Sequence, residues 1–130
     1  MTDDRRLPSA SQASGLRTDK QQDGAAAEGQ ALNYLQGNGL RLLERNFRCR
    51  RGEIDLIMQD RETLVFVEVR KRQNSHFGGA AASVTKSKQS KLLAAAQVFL
   101  QSYAALPPCR FDVVAIEGKT IHWLKNVIEG

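Results

Sequence analysis

The chain has 130 residues, 42% of them hydrophobic, and a formal net charge of +5; one domain with its own core fits that length without a metal or disulfide staple. Cys49 and Cys109 lie far apart with no C-x-x-C spacing, which argues against a disulfide framework and for a reducing, cytoplasmic setting. No apolar signal-peptide region opens the chain and no apolar run approaches a membrane span, so no membrane role is expected, while the basic excess points to a polyanionic partner.

Residues 1–22 contain almost no large apolar side chain and are expected to be a disordered tail, leaving 23–130 as the folded domain. "GAAAEGQALNYLQGNG" opens that domain. Ala27, Ala31, Leu32 and Leu35 recur at helical spacing, and "QGNG" is a helix stop. "LRLLERNFRCR" alternates loosely and carries many charges, so it predicts an edge strand. "GEIDLIMQ" and "TLVFVEVR" are the clearest strands, joined through a tight Asp60-Arg61 turn. "QNSHFGGAAAS" predicts a loop. The stretch "VTKSKQSKLLAAAQVFLQSY" then predicts an amphipathic helix with Leu92, Leu93, Ala96, Phe99, Leu100 and Tyr103 on one face, ended by Pro107 and Pro108. "CRFDVVAIEG" and "TIHWLKNVIEG" are two further strands. Helix, three strands, helix, two strands is an α/β domain: an antiparallel meander, a crossover helix and a parallel strand in a mixed sheet flanked by helices.

The expected hairpin pairs Gln59 with Glu62 and sets Asp55 opposite Phe66, with Glu68 as its diagonal neighbour on the same face. Ile54, Leu56, Met58, Val65, Val67 and Val69 then form one apolar face. The other runs from Ile57, Leu64 and Phe66 to Asp55, Glu68 and Arg70. A slip of one residue would scramble both. Glu28 lies at helical spacing from Leu32 and Leu35, and Gln89 holds the same relation to Leu92, Leu93 and Ala96, so both polar groups need partners.

Clustered carboxylates without His or Cys form a hard-oxygen site suited to Mg²⁺ or Mn²⁺ together with a substrate phosphate. Arg48, Arg50 and Arg51 on one side, Arg70, Lys71 and Arg72 on another, and Lys86, Lys88 and Lys91 on the second helix are distributed as a phosphate-backbone footprint. DNA is the expected partner, with no small-molecule cofactor. Bland alternatives stand beside these: Arg70 as an ion-pair partner of Glu53 or Glu68, Gln89 in a local hydrogen bond, Asp112 as a structural cap or ion pair. His76 and His122 have no metal-ligand spacing.

The pattern "E…GEIDLI…VFVEVR" resembles the signature of the PD-(D/E)XK nuclease superfamily. More closely, "AAAEGQALNYL", "RRGEIDLIM", "LVFVEVRKR", "FGGAAASVTKSKQSKLLAAA" and "CRFDVVAI" resemble the bacterial YraN family, grouped with endonuclease-like folds near the archaeal Holliday-junction resolvases. That resemblance spans about the whole folded part. It implies a restriction endonuclease-like fold and a DNase acting on branched or processed DNA. It puts Glu28 at the helix-carboxylate position, Asp55 and Glu68 at the metal-ligand positions and Val69 where a backbone carbonyl also meets the metal. Gln89 falls on the helix that often adds a polar group to such sites. A homodimer is implied by analogy with the resolvases. Arg70 stands where the superfamily carries lysine; it keeps the charge but stays protonated and cannot serve as a general base. A nucleic-acid-binding module with weak or absent catalysis is the alternative reading.

Overall fold

A computed structural model describes residues 19–72 and 84–128. Helix α1 (Asp19–Gly37) is followed by strands β1 (Arg41–Cys49), β2 (Gly52–Asp60) and β3 (Thr63–Arg72), helix α2 (Lys86–Leu100), and strands β4 (Cys109–Glu117) and β5 (Thr120–Leu124). Helix α1 starts four residues inside the segment expected as a tail; the remainder of that segment and the expected loop over 73–83 lie outside the described residues.

The five strands form one sheet in the order β1-β2-β3-β4-β5. Pairing is antiparallel throughout except between β3 and β4, which run parallel. Helix α2 makes the crossover that a parallel pair requires. The charge-rich β1 is an edge strand, as its composition predicts, and a bulge lies between Leu42 and Glu44.

Each helix covers one face of the sheet. Ala27, Ala31, Leu32 and Leu35 of α1 bury Leu56, Met58, Val65, Val67, Val114 and Ile116. Leu92, Ala95 and Ala96 of α2 bury Ile57, Leu64, Phe66 and Val113. On that second face Phe99 meets Phe47 and Phe66 edge-on, at centroid separations of 5.5 and 6.1 Å. Helix α1 ends at the predicted stop: the Leu40 N–H donates to the Leu35 carbonyl, and Gly39 takes φ +95°, which its lack of a Cβ permits. Helix α2 is capped by Thr85, whose hydroxyl accepts from the Lys88 N–H at 3.2 Å.

Two details of the hairpin differ from expectation. Asp60 pairs with Thr63 and Gln59 with Leu64, so the turn is Arg61-Glu62. Arg61 adopts φ +59°, a left-handed turn conformation that composition does not announce for arginine. The resulting register differs from the predicted one by two residues, an even number, so every side chain keeps its face. The exception is Ile54. It packs with Ile57 and Leu92 on the α2 face, not with Leu56 and Met58. The β2–β3 pairing ends at Leu56 and Val67, and beyond it β2 no longer keeps strict alternation.

Asp112 is fully buried in β4. Its carboxylate accepts from Arg110 Nε at 3.1 Å, Trp123 Nε1 at 2.9 Å and the Asn126 N–H at 2.9 Å, and Arg110 also reaches Asp60 at 3.1 Å. The structural role predicted for Asp112 holds. Arg110 is the partner that the sequence reading missed.

Candidate functional site

The site lies where β2 and β3 part. Continuing the observed register past Leu56 and Val67 brings Asp55 level with Glu68, rather than diagonal to it. The strands do not pair there through their backbones. Instead Asp55 Oδ2 accepts the Val69 N–H at 2.8 Å. A carboxylate thus satisfies a backbone donor at the sheet opening. It is half-buried, with Glu68 beside it. Burial, reinforced by the neighbouring Glu68 charge and opposed by the Val69 hydrogen bond, pushes the Asp55 carboxyl up to about 7.

Glu68 extends from the face carrying Leu64 and Phe66, the one covered by α2. Two cations meet it at the same oxygen. Arg70 Nη1 lies 3.6 Å from Glu68 Oε2, and Lys88 Nζ of α2 lies 3.5 Å from it. The ion pair expected as the alternative for Arg70 is therefore present. Neither contact involves Glu68 Oε1, and the Val69 bond does not involve Asp55 Oδ1.

Glu28 enters from α1. Its carboxyl is raised by burial, against the lowering influence of Arg45, Asn46 and Arg48, and its charge acts on Asp55. All three expected acids thus line one cleft of about 780 Å³. They do not converge tightly: among the described residues no group of three His, Cys, Asp or Glu side chains is arranged to hold a metal ion. A divalent cation here would rest on the Asp55–Glu68 pair, completed by water and a substrate phosphate, a donor set that Mg²⁺ accepts.

The cleft's walls are basic. The end of β1 contributes Arg48 and the β1–β2 turn Arg50 and Arg51, with Arg48 3.7 Å from exposed Glu53. Arg70 and Lys71 line it from β3, and Lys88 and Lys91 from α2. That turn is seated directly on α2: a Cβ at Gly52 would overlap the Lys91 carbonyl oxygen and come within 2.9 Å of its carbon. Gly52 therefore sets how closely the arginine-bearing turn approaches the helix lysines. Sequence reasoning did not isolate it, since one glycine beside a turn has many explanations.

Two expected residues fall elsewhere. Gln89 Nε2 donates to the Val84 carbonyl at 3.0 Å, so its amide is engaged locally at the start of α2 and does not line the cleft. This is the local hydrogen bond given as the alternative for it. Lys86 is exposed on the first turn of α2 and is not part of the cleft lining. Arg72 ends β3, with its side chain outside the described residues.

A five-stranded mixed sheet with one helix on each face, opening at an Asp/Glu pair between its second and third strands, is the restriction endonuclease-like fold. The sequence profile described as "Uncharacterised protein family UPF0102" matches residues 27–116. The chain is 62% identical over 113 residues to a UPF0102 protein of Janthinobacterium sp. (strain Marseille), covering 87% of this chain and 92% of that one. The corresponding protein of Herminiimonas arsenicoxydans is 60% identical over 113 residues, covering 87% of this chain and 91% of its own. One from Pseudomonas putida (strain W619) is 54% identical, covering 82% and 92%. The chain belongs to the UPF0102 family, the YraN family whose motifs it resembles. Among the described residues, no helix is long and apolar enough to cross a membrane.

Proposed function

We propose that this protein is a metal-dependent endonuclease that hydrolyses phosphodiester bonds in DNA, with branched or processed DNA as its substrate. The observation that carries the reading is the half-buried Asp55–Glu68 pair at the sheet opening, set in a cleft lined, among the described residues, by seven basic and four acidic side chains. Burial and the neighbouring Glu68 charge push the Asp55 carboxyl up to about 7, and a cation placed beside the pair would favour its ionised form. One oxygen on each acid takes no part in the bonds to Val69, Arg70 and Lys88. That donor set fits Mg²⁺ or Mn²⁺, held by Asp55 and Glu68 with the Val69 carbonyl. When bound, such an ion polarises the phosphodiester and makes water more acidic.

The chain's own residues supply the rest. The turn arginines and Lys91 hold the phosphate backbone. Arg70, tied to Glu68, adds fixed positive charge beside the reacting phosphate. In the reaction a water oxygen bonds to phosphorus. The ester P–O bond breaks with its electron pair on the departing oxygen, and one water proton ends there.

Purified protein with Mg²⁺ or Mn²⁺ is expected to cut branched DNA, and Asp55→Ala or Glu68→Ala to stop it. Cleavage that survives both substitutions rules the assignment out. A DNA-binding module without cleavage is the second reading, favoured by the two cations already paired with Glu68. It predicts salt-sensitive binding and no metal-dependent cutting. Gain of cleavage on Arg70→Lys would then mark lost chemistry.

A further inference from the structure

Of the cleft's cations, Lys88 is placed unlike the turn arginines. Its Nζ sits 3.5 Å from Glu68 Oε2, although 20 residues and a chain crossover separate the two. Its side chain is 50% exposed, against 28% for Arg70 and 13% for Glu68. An ammonium has three donors, and the Glu68 contact occupies one. The backbone behind it is fixed: Thr85 caps the Lys88 N–H, Gly52 abuts Lys91, and Leu92 is buried in the core. A cation on a rigid helix, beside the acid pair and open to the cleft, is pre-positioned for charge that develops at that point.

We propose that Lys88 is a catalytic residue, its ammonium contacting the scissile phosphate itself rather than adding one more clamp on the backbone. In the hydrolysis, negative charge accumulates on the phosphoryl oxygens as the water oxygen bonds to phosphorus and the ester bond breaks. Lys88 stabilises that charge from the α2 side while Arg70 acts from β3.

The assignment rests on the endonuclease reading, and the test separates the two. Full-length wild type, Lys88→Met, Lys88→Arg and Arg51→Met are compared on a branched DNA with Mg²⁺, measuring turnover at saturation and, separately, DNA affinity. Loss of one such stabilising group costs roughly 100-fold in turnover. Lys88→Met is expected to show that loss with affinity within about 3-fold of wild type, since a contact that strengthens mainly in the transition state adds little to ground-state binding. Lys88→Arg is expected to recover most of the turnover by restoring charge. Arg51→Met is expected to weaken affinity, as loss of a backbone clamp does. If Lys88→Met turns over like wild type and only binds more weakly, Lys88 is a backbone clamp and the inference is overturned. If wild type itself does not cut, the endonuclease reading fails and takes this assignment with it.

Discussion

Replacing Asp55 by Asn is expected to stabilise the fold while removing activity. The folded-state carboxyl is pushed from 3.8 up to about 7, a shift of about 3 pH units. At about 1.4 kcal/mol per unit, full ionisation of the folded protein costs about 4 kcal/mol relative to the unfolded chain. The sign follows from which state releases its proton first. Below pH 3.8 both states hold the proton and the group is neutral in its effect. As pH rises towards 7, the unfolded chain ionises first and stability falls, levelling off above the folded-state value. Asparagine does not ionise, and its amide oxygen still accepts the Val69 N–H, though a neutral acceptor is weaker by about 1 kcal/mol. The net gain is therefore about 2–4 kcal/mol at pH 8, shrinking to nothing or to a small loss near pH 4. Urea denaturation of wild type and Asp55→Asn at the two pH values measures it. A difference that does not change with pH, or a variant less stable at pH 8, refutes the electrostatic account of the site.

Further consequences reach beyond that carboxylate. Gly52→Ala forces the β1–β2 turn off the Lys91 carbonyl and should cost about 1–3 kcal/mol in denaturant unfolding, with a parallel loss of DNA affinity. Asp112→Ala leaves half-buried Arg110 with Asp60 alone and removes the buried acceptor of Trp123 and Asn126, so a loss of about 3–5 kcal/mol is expected by the same method. Arg51→Met should lower the slope of log affinity against log salt by about 1, read from DNA titrations at several salt concentrations. Gln89→Ala should cost about 1 kcal/mol through its lost bond to Val84 and leave any stabilisation by Mg²⁺ unchanged in thermal melts.

What the sequence could show follows from its periodicities. Alternation along "LVFVEVR" put Glu68 and Arg70 on one face, and that placement survived a misplaced turn because the register error was even. The crossover helix and parallel fourth strand followed from element order and the rules of chain connection. The turn itself was not legible, since Arg61 takes a left-handed conformation that glycine or asparagine usually marks. Nor was the place of Ile54, because alternation lapses where the strands part. Contacts across the fold were hidden for a different reason. Lys88 reaches Glu68, Gly52 abuts Lys91 and Arg110 joins Asp60 to Asp112 only once α2 and β4 have packed. Gln89 carried the same spacing as a site residue, but the nearby Val84 carbonyl claimed its amide.

The claim that this cleft holds a divalent ion at the Asp55–Glu68 pair is tested most directly by Mn²⁺ titration in the presence of DNA. The signal of free Mn²⁺ is followed by electron paramagnetic resonance for wild type, Asp55→Ala and Glu68→Ala. The account predicts one bound ion per chain in wild type and its loss in both variants. Equal binding in all three, or none in wild type, contradicts it.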